Sequence, residues 1–336
     1  MDALVWTERE RMEFKDVPRK DLKPGWVRLK VVAVGICGSE LSGYLGENSL
    51  RVPPLIMGHE FSGVVIEKAD NIGFELLGKL VTVNPLISCG NCRTCQKGQQ
   101  QLCRERKIIG VHLSGAFAQF VDVPANQCFS VKDPYYGALV EPLACSLRAV
   151  ERVSVKAGDI GIVFGAGIIG LMCMKFMRMM GAQKIIAIDT NNARLMLSKD
   201  WGATHLINPL KENALEEIRK AFPQGVDCVV DAVGYSKTRQ QAIESLRAGG
   251  KVAFIGLHEN PSTLTGDIIV RNEIEIYGSF SYCNDDFSKA VAFVNEGLLE
   301  DLGNSWLDRR SLQDGNDAFQ ELISGKSGYS KIMLVP

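Results

Sequence analysis

The sequence predicts an α/β protein of two domains, a β-rich first half followed by a doubly wound parallel sheet. Up to about residue 150, short strand-like runs are broken by Gly and Pro; beyond it, apolar runs of strand length alternate with stretches of helical period. A Gly-x-Gly-x-x-Gly spacing stands at the first of those alternations.

In the first half the strand candidates are WVRLKVVAVGIC at 26–37, FSGVVIEKA at 61–69, KLVTVNP at 79–85 and GAFAQFVDVP at 115–124. Their β-branched and aromatic content suits a half-buried pleated surface. The second half offers DIGIVFG at 159–165, KIIAID at 184–189, THLIN at 204–208, VDCVVDAV at 226–233, GKVAFIGL at 250–257 and EIEIYGSF at 273–280. Six such runs make two mononucleotide-binding halves. Between them, 168–181 and 192–202 read as helices, the latter stopping at Gly202. The tail GYSKIMLVP at 328–336 reads as one more strand, free to rejoin the first domain. The expected boundaries are 1–148, completed by 284–336, and 149–283.

Composition narrows the function. With 38 Lys and Arg against 39 Asp and Glu, the chain lacks the positive field that nucleic acid or an anionic membrane would require. The N-terminal MDALVWTERERMEF reaches charge within a few residues, unlike a secretory signal. The longest uncharged apolar run, 160–174, is shorter than the roughly 20 residues that cross a bilayer and is broken by glycines. A cytoplasmic protein is expected. Its ten cysteines are therefore read as metal ligands plus free thiols, with Cys128, Cys145, Cys173, Cys228 and Cys283 filling apolar surroundings.

Gly165, Gly167 and Gly170 each meet a separate demand: a tight turn, close approach of backbone to a pyrophosphate, and close packing of helix on strand. The helix opened by Ile168 and Ile169 then points its free N–H groups at the phosphates. Asp189, nineteen residues beyond Gly170, is placed to accept from the adenosine ribose hydroxyls and to repel a 2′-phosphate, which favours NAD. Arg194 is the residue through which NADP could be accommodated instead.

Cys89, Cys92, Cys95 and Cys103 have the spacing C-x2-C-x2-C-x7-C, which one short loop can wrap around a single tetrahedral ion. An iron–sulfur cluster is the competitor, but bacterial ferredoxins place the fourth cysteine after three residues and before proline, whereas Cys103 precedes Arg104. Four protein ligands close the sphere, so such a zinc would be structural. Elsewhere Cys37, His59, Glu60 and Glu141 offer a thiolate, an imidazole and carboxylates, and an incomplete set of these leaves zinc a position for water or substrate.

The order Cys37-Gly38-Ser39, Gly58-His59-Glu60, four-cysteine lobe, Glu141-Pro142, glycine triplet and Asp189 resembles the zinc-dependent medium-chain dehydrogenases of the alcohol dehydrogenase superfamily, essentially end to end. EPLA at 141–144 and FSYCN at 280–284 resemble the polyol branch, typified by sorbitol dehydrogenase. The resemblance implies a GroES-like catalytic domain and a Rossmann domain with substrate between them. It implies a catalytic zinc on Cys37 and His59, with Glu60 or Glu141 as carboxylate ligand or as partner of a zinc-bound water. That zinc would polarise a substrate oxygen while hydride passes to NAD. Ser39 would relay the alcohol proton, and Glu40, where relatives carry Asp, would orient His59. Phe117 and Tyr282, with Ser39 and Glu141, would line the substrate pocket, and Ile255, Gly256, Leu257, Ser279 and Phe280 would cover the nicotinamide.

Departures bear on substrate: Ser42 stands for a relay histidine, Ser281 for an arginine and Gly43 for a pocket tyrosine, so two polar groups that would hold a hexitol are gone. The expected reaction is NAD-dependent oxidation of a secondary alcohol in a polyol, cyclitol, amino alcohol or sugar alcohol, phosphorylated or not, with L-threonine or galactitol-phosphate-type dehydrogenation as a variant. A non-catalytic zinc and NAD-binding relative is the rival, and retention of the ligand residues argues against it. A homo-oligomer, tetramer or dimer, is also implied, with EIEIYGSF as a candidate pairing edge.

Overall fold

The computed structural model describes residues 1–47, 49–303 and 305–336. The chain divides into two compact units. Unit 1 comprises Met1–Pro142, Cys283–Ser327 and Lys331–Pro336, and unit 2 comprises Leu143–Tyr282 with Gly328–Ser330.

Unit 1 is built on a seven-stranded sheet. Its path runs Cys128–Ser130, Leu80–Val83, Glu60–Lys68, Trp26–Gly35, Lys331–Val335, Leu307–Ser311, with Phe120–Pro124 also paired to Trp26–Gly35. Trp26–Gly35 is the pivot. Its first half pairs with Phe120–Pro124 and its end, at Val34 and Gly35, with Leu334 and Met333 of the tail. Along its other edge it pairs antiparallel with Glu60–Lys68 in a register that sets Gly35 opposite Glu60. One face is packed by Val27, Leu29, Val31, Phe61, Val65, Val81, Phe117, Phe319 and Ile332, all 3% exposed or less. A smaller sheet of Arg11–Asp16, Asp2–Glu8 and Leu55–Ile56 flanks it. A two-stranded ribbon, Leu86–Ile87 with Lys107–Ile108, brings together the two ends of the 89–103 loop.

The tail does rejoin the first unit. It does so as an interior strand, parallel to Leu307–Ser311 on one side and antiparallel to Trp26–Gly35 on the other.

Unit 2 has six parallel strands in the order His205–Ile207, Lys184–Ile188, Ile160–Phe164, Val226–Asp231, Leu246–Phe254, Glu275–Gly278. Numbered along the chain this is the 3-2-1-4-5-6 Rossmann order, whose ligand crevice lies outside the carboxyl ends where the order reverses. Purely apolar segments such as Ile162–Val163–Phe164 and Val229–Val230 are buried on both faces, as sheets covered by helices require. Helix Asn192–Leu197 ends earlier than Gly202: the Ser198 hydroxyl donates to the Leu195 carbonyl at 2.6 Å, and the chain continues as turns that seat Trp201 at 1% exposure.

Candidate active site

The register of unit 1 assembles the first site. Because Gly35 faces Glu60, the residues just beyond the two strand ends, Cys37 and His59, meet although 22 positions apart. The donor atoms of Cys37, His59 and Glu60 all lie within 4.8 Å of one another, close enough to share one ion. Glu141, on the first turn of helix Val140–Val153 and 9% exposed, is outside that three-donor group.

Glu40 holds the group together. It lies on the short helix Gly38–Tyr44 and is fully buried. Its Oε1 accepts from the Gly58 amide at 2.8 Å and meets His59 Nδ1 at 2.8 Å, while Oε2 accepts from the Cys37 amide at 3.0 Å. The extra methylene relative to aspartate is thus absorbed, and His59 is left with Nε2 as its free nitrogen. Burial alone would raise the Glu40 pKa, but the charge and hydrogen bond of His59, with Arg51 behind them, hold it below the ordinary carboxylate value. For His59, burial is likewise outweighed by Glu40 and Cys37, which raise its pKa well above the ordinary value. A cation held by Nε2 would take the place of that proton.

Two residues that the sequence did not reveal complete the site. Lys331, 1% exposed, donates to Glu60 Oε2 and to the Ile36 carbonyl at 2.9 Å. Burial would lower its pKa, but Glu60 and then Cys37 raise it, so it stays a cation. Gly35 makes the meeting possible: a Cβ there would stand 2.5 Å from both Glu60 Oε2 and Lys331 Cε. Arg51, 5% exposed, donates to the Ser39 carbonyl at 3.0 Å and to Ser39 Oγ at 3.1 Å. Ser39 Oγ in turn is 3.4 Å from Cys37 Sγ. The signal for Lys331 was a lone lysine in an apolar strand; Arg51, in an irregular Pro-rich stretch, gave none.

Phe117 belongs to the core of unit 1, edge-on to Phe319 and 0% exposed. It therefore backs the site as packing and shows no surface to a substrate. Tyr282 of unit 2 is 1% exposed.

The cysteine lobe has the dimensions of a closed tetrahedral site. Cys92 and Cys95 sulfurs are 3.4 Å apart, Cys89 and Cys103 3.5 Å, Cys89 and Cys95 4.0 Å. Zn–S bonds of about 2.3 Å imply S···S edges of about 3.8 Å, whereas a disulfide would need about 2.0 Å. All ten cysteines are free thiols. The Thr94 hydroxyl and the Cys95 amide push the Cys92 thiol down to about 6. Amides at Asn91 and Cys92 favour a Cys89 thiolate, but desolvation and the hydrogen bonds to Cys103 and Cys92 prevail and leave it at about 11. Such a cluster is fully deprotonated by a bound dication. Burial pushes the Cys128, Cys173 and Cys228 thiols to about 12, as inert core thiols.

In unit 2 each glycine of the triplet has a separate physical reason. Gly165 has φ +91°, and a Cβ would also meet Val233 Cγ2 at 2.9 Å. At Gly170 a Cβ would lie 1.8 Å from the Gly165 carbonyl oxygen, so only glycine lets the helix pack on the turn. At Gly167, the N-cap of helix Ile168–Met179, a Cβ would meet nothing within 4 Å: it would enter open space at the helix N-terminus, where a phosphate fits. Asp189 accepts from the Ala166 amide at 2.7 Å and the Asn191 amide at 2.7 Å, which locks it beside the turn with lone pairs to spare. Arg194 sits on helix Asn192–Leu197, its Nε buried and unpartnered. Ile255 and Gly256 bond through their amides to the Asp231 carbonyl, Leu257 is 80% exposed, Phe280 37%, and the Ser279 hydroxyl is buried without a partner. An open phosphate cradle and an orphaned hydroxyl fit a dinucleotide.

Comparison with known proteins agrees with this chemistry. Residues 23–133 match the alcohol dehydrogenase GroES-like domain and residues 169–296 the zinc-binding dehydrogenase domain. A sorbitol dehydrogenase of Bacillus subtilis is 32% identical, over 100% of this chain and 97% of that protein. An L-idonate 5-dehydrogenase of Vitis vinifera is 34% identical, over 83% of this chain and 79% of its own. A zinc-binding dehydrogenase from Sinorhizobium meliloti 1021, solved bound to NADP, superposes with a TM-score of 0.92 at 31% identity, covering 100% of this chain and 99% of that one. A thiolate–imidazole–carboxylate group in a GroES-like unit, a four-cysteine lobe and a glycine-rich dinucleotide turn, in a chain that matches such relatives end to end, make it a member of the zinc-dependent medium-chain dehydrogenases, in their polyol dehydrogenase branch.

Proposed function

We propose that the protein oxidises a secondary alcohol of a polyol, cyclitol, amino alcohol or sugar alcohol with NAD, and reduces the matching ketone in reverse. The observation that carries this reading is the convergence of Cys37, His59 and Glu60 with Glu40 locked behind the imidazole. Relatives named for sorbitol and L-idonate supply the substrate class.

Cys37, His59 and Glu60 would hold a divalent zinc, and the cysteine lobe a second, structural one. Bound zinc supplies Lewis acidity toward the alcohol oxygen, and the nicotinamide supplies the hydride acceptor. The protein's own groups do the rest. Glu40 fixes the tautomer and plane of His59. Ser39 Oγ, which can accept and donate at once, would take the alcohol proton while passing its own to solvent water. Lys331 holds Glu60 by one oxygen, which restrains the carboxylate and tempers its charge. In unit 2, Gly167 and the amides opening the helix at Ile168 and Ile169 would take the pyrophosphate, and Asp189 the adenosine ribose. Among the described residues no helix is long and apolar enough to cross a membrane.

The test is formation of NADH at 340 nm by zinc-loaded protein against stereoisomeric polyols and amino alcohols. Turnover that is lost in Cys37→Ser while the fold is retained supports the reading. Inactivity of fully metallated protein across the panel refutes it, and a higher kcat/KM with NADP than with NAD refutes the role given to Asp189.

A further inference from the structure

Among the described residues, three Lys or Arg side chains are buried: Arg28, Arg51 and Lys331. Arg28 is paired with Asp122 and Glu67, and Lys331 with Glu60. Arg51 makes no ion pair among the described residues, although an unpaired buried charge is among the costliest groups a protein can carry. The nearby buried carboxylate, Glu40, is already saturated by His59 and the Cys37 and Gly58 amides. Among the described residues Arg51 spends only two of its five N–H donors, both on Ser39, and its Nε–H has no partner.

Placement says what this cation is for. Its Nη2 touches Ser39 Oγ, which touches Cys37 Sγ, so it stands two hydrogen-bond lengths from a metal-ligating sulfur. A guanidinium gives up no proton at any working pH and cannot accept one, which excludes it as the outlet of a proton relay. What remains is binding. Its planar fork matches carboxylate and phosphate oxygens. The chain also makes room for it: a Cβ on Gly43 would stand 2.8 Å from Arg51 Cδ, and a glycine inside the helix Gly38–Tyr44 is otherwise unfavourable. The surroundings are cationic as well, since His112 is held below its ordinary pKa first by burial and then by Arg106, Arg51 and Lys107.

We propose that Arg51, given space by Gly43, is the anion-binding residue of the substrate site, and that the substrate carries a carboxylate or phosphate within a few carbons of the alcohol it is oxidised at. This rests on the dehydrogenase reading above.

The test uses zinc-loaded protein and matched sets of a hexitol, its aldonate and its terminal phosphate. At least one anionic member should exceed the neutral hexitol in kcat/KM by on the order of 100-fold. Arg51→Met should bring that ratio close to one whatever it does to the hexitol alone, Arg51→Lys should keep part of it, and Gly43→Ala should shift it the same way as Arg51→Met. Preference for the aldonate identifies a carboxylate, preference for the sugar phosphate a phosphate. A hexitol oxidised as well as both anions, or a ratio unchanged by Arg51→Met, overturns the proposal. Calorimetric binding of gluconate and of sorbitol 6-phosphate to the zinc- and NADH-loaded protein separates the two readings. No NADH from any substrate counts against dehydrogenation, whereas anion binding that is absent, or equal in wild type and Arg51→Lys and Arg51→Met, counts against Arg51 alone.

Discussion

Lys331 and Glu60 are each 1% exposed and face one another across the strand that only the last residues of the chain provide. Removing one partner of such a pair leaves a bare charge in a low-dielectric site, at a cost of about 3–5 kcal/mol. Lys331→Met is accordingly expected to lower the stability of unit 1 by that amount in denaturant titration, with weaker zinc retention. The sign of the pH dependence follows from the raised Lys331 pKa: the pair contributes fully below the ordinary lysine value of 10.5 and is lost only as pH rises through the higher folded value. Unfolding between about pH 6 and 9 should therefore show no step from this residue. Glu40→Gln tests a different link. It keeps the shape but replaces the anionic acceptor behind His59, and a drop of about 10–100-fold in zinc affinity, read by competition with a chromogenic chelator, is expected. Unchanged affinity would mean that Glu40 is only packing.

At the scale of elements, the cysteine lobe is a loop without a core, clamped at its base by the ribbon Leu86–Ile87 with Lys107–Ile108. Within it only Cys95, Gln101 and Cys103 are buried. On the proposed two-zinc reading, Cys92→Ser should reduce bound zinc from two equivalents to one and make residues 89–103 protease-sensitive, because an ion held there would contribute folding energy directly. Two equivalents retained would remove the structural assignment. This lobe and the glycine turn were legible in the sequence for the same reason: their geometry is local, fixed by four cysteines within fifteen positions and three glycines within six. The six strands of unit 2 were legible because each is a short apolar run flanked by turn chemistry. Local pattern showed the candidate catalytic group only as separate suspects, since Cys37 and His59 are joined by a pairing register it does not encode; the order of the motifs and the family they resemble put the two on one zinc. Lys331 and Arg51 act across 271 and 12 positions of sequence respectively, through contacts set by tertiary packing alone. The early end of helix Asn192–Leu197 was missed because Ser198 turns its hydroxyl back on the backbone.

For the whole molecule, the decisive fact is chain order. Unit 1 is discontinuous: the chain leaves it at Pro142, returns at Cys283, and supplies an interior strand, Lys331–Val335, at its very end. Deleting Lys331–Pro336 removes that strand and the counter-charge of Glu60 while leaving all of unit 2 intact. The expected result is a chain whose unit 1 is digested by protease and loses zinc, while a fragment corresponding to unit 2 is protected and still binds NADH. Zinc retained by the truncated chain would refute this. The same arrangement bears on synthesis at the ribosome. The residues proposed to grip the zinc, Cys37, His59 and Glu60, emerge early, yet the lysine that neutralises Glu60 follows it by 271 positions. A nascent polypeptide that has not reached Lys331 therefore carries the proposed metal centre unfinished, and its completion waits until the whole of unit 2 has been made.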